Sequence, residues 1–263
     1  MTKQKSNLQE HFVIPDTQCK AGVRLNHLEA AGNYIVEKQP NTIIHLGDHW
    51  DMPSLSSYEK RGSKYFEGKK YLNDIEMGLQ GMETLLGPTT RYNAMRKKNK
   101  KRAYSPRMVF IPGNHENRIV RATNDDPRLE GVITMNHLKL QEQGWEVPTY
   151  LQPVDIDGIK YAHYFYNPMT GKPYGGRAYT RLQNIGFSFT MGHVQGKDIA
   201  EKHLSDGRTL RGLVVGSFYQ HDEDYKGPQA NSHWRGCIYK HEVQDGNYCL
   251  MELSMDYLLR EWL

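Results

Sequence analysis

The stretch Asn41-Thr-Ile-Ile-His-Leu-Gly-Asp-His-Trp-Asp51 decides how this chain is read. Its first half is a short apolar run of β-type residues. Its second half opens on Gly47 and delivers two carboxylates, Asp48 and Asp51. A strand that ends on glycine and then on metal-ligand residue types fits a site at the carboxyl edge of a sheet. One aspartate in that place would mean little, because aspartate also caps helices and turns. The pattern recurs on both sides. Upstream, His11-Phe-Val-Ile-Pro15 runs into Asp16-Thr-Gln18, and downstream Met108-Val-Phe-Ile111 runs into Gly113-Asn114-His115-Glu116. Later, Ile159-Lys-Tyr-Ala ends at His163, and Phe187-Ser-Phe-Thr-Met191 ends at Gly192-His193-Val-Gln195. Strand ends that share a sheet edge bring their side chains together. Carboxylate, imidazole and amide oxygen suit Mn²⁺, Fe, Zn²⁺ or Mg²⁺ rather than a soft thiolate site.

The connections read as helices and loops. Leu25, Leu28, Ile35 and Val36 form one stripe, ended by Gln39-Pro40. Leu72, Ile75, Leu79, Met82 and Leu86 recur at helical spacing, and Gly87-Pro88 is expected to stop that helix. Leu213 to Ser217 and Tyr248 to Leu253 read as further strands, with a closing segment from Met255 to Leu263. Alternating strands and helices predict an α/β layered sandwich. The expected organisation is a single domain over 1–263. It carries an insert at 52–107, holding a helix and a basic stretch, and a lid or wall segment at 216–240.

Composition narrows the classes. Mean hydropathy is −0.75 and no apolar run approaches the length of a membrane span, so no membrane association is expected. The polar segment Met1 to Glu10 lacks a secretory signature. The three cysteines, Cys19, Cys237 and Cys249, are odd in number and widely spaced. They predict free thiols in a reducing, cytoplasmic compartment. The net charge is +4, yet eight Lys/Arg and no acid lie between Arg91 and Arg107. The basic character is therefore one local tract.

The five segments together resemble the metallophosphoesterase (calcineurin-like) family, whose pattern is D-x-H, G-D-x-x-D, G-N-H-[D/E], a lone His and G-H-x-H. The resemblance spans Asp16 to Gln195. It implies a four-layer αββα sandwich with mixed sheets and two divalent metal ions at one edge. It implies that Asp48 bridges the ions and that Asn114, His163 and His193 complete one site. Asp16 belongs to the other, and His115, oriented by Asp51, protonates the leaving oxygen. The chain departs from the pattern twice, with Gln18 and Gln195 where the family has histidine. Both departures fall on the Asp16 site. An amide oxygen is a harder, weaker ligand than imidazole, so with Gln18 and Gln195 as ligands an oxygen-rich site preferring Mn²⁺ or Mg²⁺ to Zn²⁺ is expected; the alternative is a single-metal centre in which a Gln only hydrogen-bonds a water.

The family hydrolyses many phosphoesters, and the surroundings must choose among them. The basic tract suggests a phosphodiesterase or nuclease, with DNA or RNA as substrate. Arg96, Lys97 and Lys98 would attract the polyanion, Tyr92 and Tyr104 would stack on bases, and Arg118 would reach a phosphate oxygen. The alternatives are a phosphomonoesterase acting on a small ester or a phosphoprotein, and a non-catalytic nucleic-acid-binding module. Met52-Pro53 after Asp51 replaces the Arg-Gly of the family's protein phosphatases and counts against that activity. The 216–240 segment carries Tyr219, His221, Asp222, Glu223, Asp224, Tyr225, His233, Trp234 and Arg235. A further cation on Asp222, Glu223 and Asp224 is a weaker suggestion. The family includes dimers, but no exposed heptad or apolar patch marks one here.

Overall fold

The computed structural model describes residues 8–57, 60, 62–223 and 231–263. Three parallel strands form the heart of the first sheet: β1 (Gln9–Ile14), β2 (Thr42–His45) and β3 (Arg107–Phe110). All four residues of β2 are buried, as a strand covered on both faces requires. Two antiparallel strands, β11 (Gly236–Gln244) and β12 (Asn247–Ser254), extend the sheet in the order β12-β11-β1-β2-β3. The second sheet contains β4 (Val154–Ile156), β5 (Ile159–Ala162), β8 (Phe189–Met191), β9 (Asp198–His203) and β10 (Thr209–Val214). Its order is β4-β5-β8-β10-β9, parallel through β5, β8 and β10. A small hairpin, β6 (Tyr166–Asn167) and β7 (Lys172–Pro173), stands apart.

Strand periodicity explains the layering. Val13, Ile44 and Val109 point inward to meet Ile159, Tyr161 and Leu213 of the second sheet. Their neighbours Phe12, Ile43 and Phe110 point outward into a separate core. That outer core is covered by α1 (Asn26–Lys38), α2 (Tyr71–Lys98) and α5 (Met255–Trp262). Across the molecule, Ala178 and Leu182 of α4 (Ala178–Ile185) pack on Phe189, Met191 and Val214. The layers are helices, sheet, sheet and helix, which is the expected α/β sandwich. A fifth helix, α3 (Arg118–Asp125), follows β3.

The inter-sheet core contains one polar network. Lys240 of β11 is fully buried and donates to Tyr161 Oη (3.1 Å) and Thr190 Oγ1 (2.5 Å). Tyr161 Oη also lies 2.8 Å from His11 Nδ1, and His11 Nε2 reaches Asp157 Oδ2 at 2.8 Å. Burial holds the Lys240 amine well below the usual lysine range and His11 at about 4.

Three expectations change. The α2 helix does not stop at Gly87-Pro88 but runs through Pro88 to Lys98. Pro88 is buried and packs on Gly32 of α1, where a Cβ would stand 2.8 Å from its ring and 2.4 Å from the Leu85 carbonyl. That close helix–helix approach offsets the lost backbone hydrogen bond. Of the expected stripe, Ile75 and Met82 are buried, Leu79 and Leu86 pack half-buried on the outer core and Leu72 is exposed, while Gly78, Gly81 and Leu85 complete the buried face. The 216–240 segment is not all lid or wall, because Gly236 onward is a strand paired on both sides, between β12 and β1. Asp224 and Tyr225 lie outside the described residues. The cysteines are free as expected, and burial raises the Cys19 thiol, which removes it as a nucleophile. Among the described residues no helix is long and apolar enough to cross a membrane.

Candidate metal centre

The carboxyl ends of β1, β2, β3, β5 and β8 open into one cleft of about 1020 Å³. Asp16, Gln18, Asp48, Asp51, Asn114, His115, Arg118, His193 and Gln195 all line it. His163 is fully buried at its floor. The backbone there is strained: Gln18, Asp48, Met52 and His193 all take positive φ, at 40°, 48°, 49° and 64°. Non-glycine residues rarely hold that conformation without surrounding support, and such outliers cluster at functional sites.

The support is Glu116. Its buried carboxylate accepts the backbone N–H groups of Asp48 (2.9 Å), His49 (2.7 Å), Trp50 (3.0 Å) and Gly113 (2.8 Å). One side chain thereby ties the loop after β2 to the loop after β3. The loops touch so closely that a Cβ on Gly113 would lie 2.1 Å from Asp48 Oδ1. Behind them, His49 Nε2 donates to Gly78 O of α2 (2.9 Å), and its Nδ1 accepts from Thr17 Oγ1 (2.7 Å). Burial keeps the His49 and His45 rings below the usual histidine range, hence neutral, as those bonds require.

Asp48, His163 and His193 each offer one ligand atom, and these atoms lie within 4.8 Å of one another. His163 shows why a cation fits. Its Nδ1 donates to the Leu46 carbonyl (2.6 Å), so the ring, when neutral, presents a lone pair at Nε2. That lone pair faces two acceptors, Asn114 Oδ1 at 3.0 Å and Asp48 Oδ2 at 3.2 Å. Three acceptors turned on one another need a proton or a metal ion between them. A ligating histidine characteristically donates its other nitrogen to a carbonyl or carboxylate, as here. Burial opposes charge on His163, but Asp48 and Asp16 raise its pKa to about 9. Burial and the neighbouring His163 ring lower His193 to about 4, which leaves it a free ligand at neutral pH.

The Asp16 side is different. Asp16 Oδ2 and Gln18 Oε1 are buried without a hydrogen-bond partner, a donor set that fits a hard cation. Burial and the adjacent Asp48 push Asp16 up to about 7. Gln195 fits less well: its amide oxygen, the atom that would ligate, accepts from Tyr219 Oη at 2.8 Å.

His115 stands beside the metal-ligand cluster. Its Nδ1 lies 3.0 Å from Asp51 Oδ1 and 2.8 Å from the Asp51 carbonyl. Its Nε2 lies 3.8 Å from Asp48 Oδ2 and 3.2 Å from Arg118 Nη2. Burial opposes charge on the ring, but Asp48 and Asp51 outweigh it and raise the pKa. Arg118 is 5% exposed and spends Nη1 on the carbonyls of Asp51 (2.8 Å) and Met52 (3.1 Å).

Lys20 falls outside the sequence pattern, and other residues take parts that the pattern did not give them. Lys20 bridges Asp51 Oδ2 (3.2 Å) and Glu223 (2.9 Å), and Glu223 in turn meets His221 Nε2 (2.8 Å). Glu116 stands inside a motif that gives it no role, and Tyr219 belongs in the pattern only to the wall. The one available signal for Lys20 is its position two residues after Gln18.

The basic tract is a correction. Arg96, Lys97 and Lys98 do not line the cleft; they occupy the last turn of α2, whose first turn faces it. At 1.5 Å per residue the two ends of that helix are about 40 Å apart. Tyr104 is not free to stack, because its hydroxyl donates to Pro40 O and its ring packs on the outer core. Tyr92 accepts from Gln39 and lies under Arg96.

No family model matches the chain, and no curated protein matches it. Among solved structures, the crystal structure of TT1561 of Thermus thermophilus is similar at a TM-score of 0.35 and 8% identity. The likeness covers 93% of this chain and 99% of that one.

Proposed function

We propose that this protein is a metal-dependent phosphoester hydrolase. The observation that carries the reading is the convergence of Asp48, Asn114, His163 and His193 as mutually facing ligand atoms, with His115 and Asp51 alongside. Asp48, Asn114, His163 and His193 would hold one divalent ion, and Asp16 and Gln18, with Asp48, a second. Ions bound there would supply Lewis acidity and a water of lowered pKa, with Mn²⁺ the favoured ion for the oxygen-rich side.

The chain's own residues do the rest. Asp51 holds the His115 ring through Nδ1 and leaves Nε2 to carry a proton toward the leaving oxygen. The raised pKa keeps that proton available near neutral pH. Arg118 adds fixed positive charge at the same wall. Among the described residues, the cleft lining holds no cysteine and one serine, Ser56, which has no hydrogen bond to a histidine, and this favours direct attack by water over a covalent route.

The test is calorimetry with Mn²⁺ together with hydrolysis of bis-para-nitrophenyl phosphate and para-nitrophenyl phosphate. Mn²⁺ binding and EDTA-sensitive release of nitrophenolate are expected, both lost in Asp48→Ala. Cleavage of the monoester alone would assign a phosphomonoesterase. Absence of divalent-ion binding, or turnover indifferent to EDTA, would remove the proposal.

A further inference from the structure

The cleft is larger than a phosphate and its metal centre need; its volume is at the upper end for sites that enclose a drug-sized ligand. Its charges are unevenly matched. Of the acids on its walls, Asp51 and Glu223 share Lys20, Asp222 meets Arg235 at 2.7 Å, and Asp74 accepts from Ser54 N at 2.9 Å. On the wall leading into α2, Lys69 and Lys70 line the same cleft and have no ion pair among the described residues. Lys69 is held in place instead, its ammonium resting on the face of Tyr65, which also lines the cleft and is 39% exposed. These lysines are the cationic side chains of that wall, with Lys69 near enough to Asp74 to offset part of the rise that burial gives its carboxyl, and they stand apart from the metal ligands.

We infer that Tyr65, Lys69 and Lys70 form a second anion subsite that holds the flanking phosphates of a single-stranded oligonucleotide while one phosphate lies at the metal centre. Two ammonium groups beside an exposed aromatic ring suit a chain that repeats phosphate and base. A single strand is required because the centre is recessed: Asp16, Asp48 and His163 are 1%, 2% and 0% exposed. A duplex keeps its phosphates on a wide, stiff cylinder that cannot reach such a floor, whereas one strand can bend into it. The use made of the bound strand rests on the hydrolase reading; the binding itself does not.

The experiment measures binding by fluorescence anisotropy. The probe is a fluorescein-labelled oligothymidylate with phosphorothioate linkages, which keep the charge and slow hydrolysis. Wild-type protein is compared with Lys69→Gln/Lys70→Gln, with Lys69→Arg/Lys70→Arg, and with Arg96→Gln/Lys97→Gln/Lys98→Gln at the far end of α2. The glutamine pair is expected to weaken binding roughly tenfold and to lower the salt slope by about 1.4, at ~0.7 per phosphate contact. The arginine pair should bind like wild type, which separates charge from folding, and the far-end triple variant should change little. The inference is overturned by wild-type affinity in the glutamine pair, by loss in the triple variant equal to or greater than in the pair, or by no binding of the probe to wild type. Failure to hydrolyse either nitrophenyl ester, with these binding results intact, would remove the hydrolase reading and leave the subsite standing.

Discussion

At the scale of single residues, His115 answers two opposed demands. It must be buried enough to be held, and burial disfavours the proton it should carry. Asp48 and Asp51 resolve this by favouring the imidazolium. Replacing His115 by alanine removes the donor and leaves Asp48, Asn114, His163 and His193 in place. The expected outcome is unchanged Mn²⁺ affinity by calorimetry, with turnover of a diester bearing a poor leaving group reduced by ~10²–10⁴-fold. An unreduced rate on that substrate would take the acid role away from His115. The residues around the cleft also show what a sequence can disclose. Asp16, Asp48, Asn114, His163 and His193 were legible because each directly follows an apolar strand. Lys20, Glu116 and Tyr219 were not, because their importance lies in partners distant along the chain, such as Glu223, the amide of Asp48, and Gln195. The Gln18 and Gln195 departures were legible as departures, but only the fold shows Tyr219 occupying the second amide.

At the scale of elements, α2 is the backing plate of the centre. Trp50, between Asp48 and Asp51, is fully buried and donates through Nε1 to Ile75 O at 3.2 Å. A Cβ on Gly78 would stand 1.9 Å from that nitrogen. The helix and the loop after β2 are therefore in contact without slack. Gly78→Ala would gain helix propensity and lose more by displacing Trp50, a net cost of about 1–3 kcal/mol. A lowered Tm in thermal denaturation, with weaker Mn²⁺ binding because Asp48 moves with Trp50, is the expected result. An unchanged Tm would show that the contact can relax. This element also marks where pattern reading failed. Glycine and proline count as breakers in a linear pattern, yet Gly78, Gly81 and Pro88 form the buried face because neighbouring elements come so close. The strand β11 escaped notice for a related reason: Lys240 and His241 interrupt an apolar run, and only the inter-sheet network makes a lysine suitable there.

At the scale of the whole molecule, that network joins the two sheets through a lysine whose pKa burial depresses. The folded state keeps the Lys240 pKa well below 10.5, its ordinary value, by burial. The unfolded chain therefore binds a proton that the folded chain refuses, and stability falls as pH is lowered from 10.5 to the folded-state value. Within that window the slope is about 1.4 kcal/mol per pH unit. Lys240→Met abolishes this dependence while filling similar space. The expected result of urea unfolding at several pH values is a stability difference that moves in favour of the variant as pH falls from about 10 toward neutrality. A difference that stays constant with pH would mean the amine is charged in the fold. At the cleft, Glu116 plays a narrower part than Lys240 does in the core, joining two loops of one sheet. Because one carboxylate gathers amides from the loops after β2 and β3, local opening cannot release one loop and spare the other. Asp48 and Asn114, which follow different strands, are thus expected to open together, and hydrogen exchange at the amides of Asp48 and Gly113 should report one shared opening free energy.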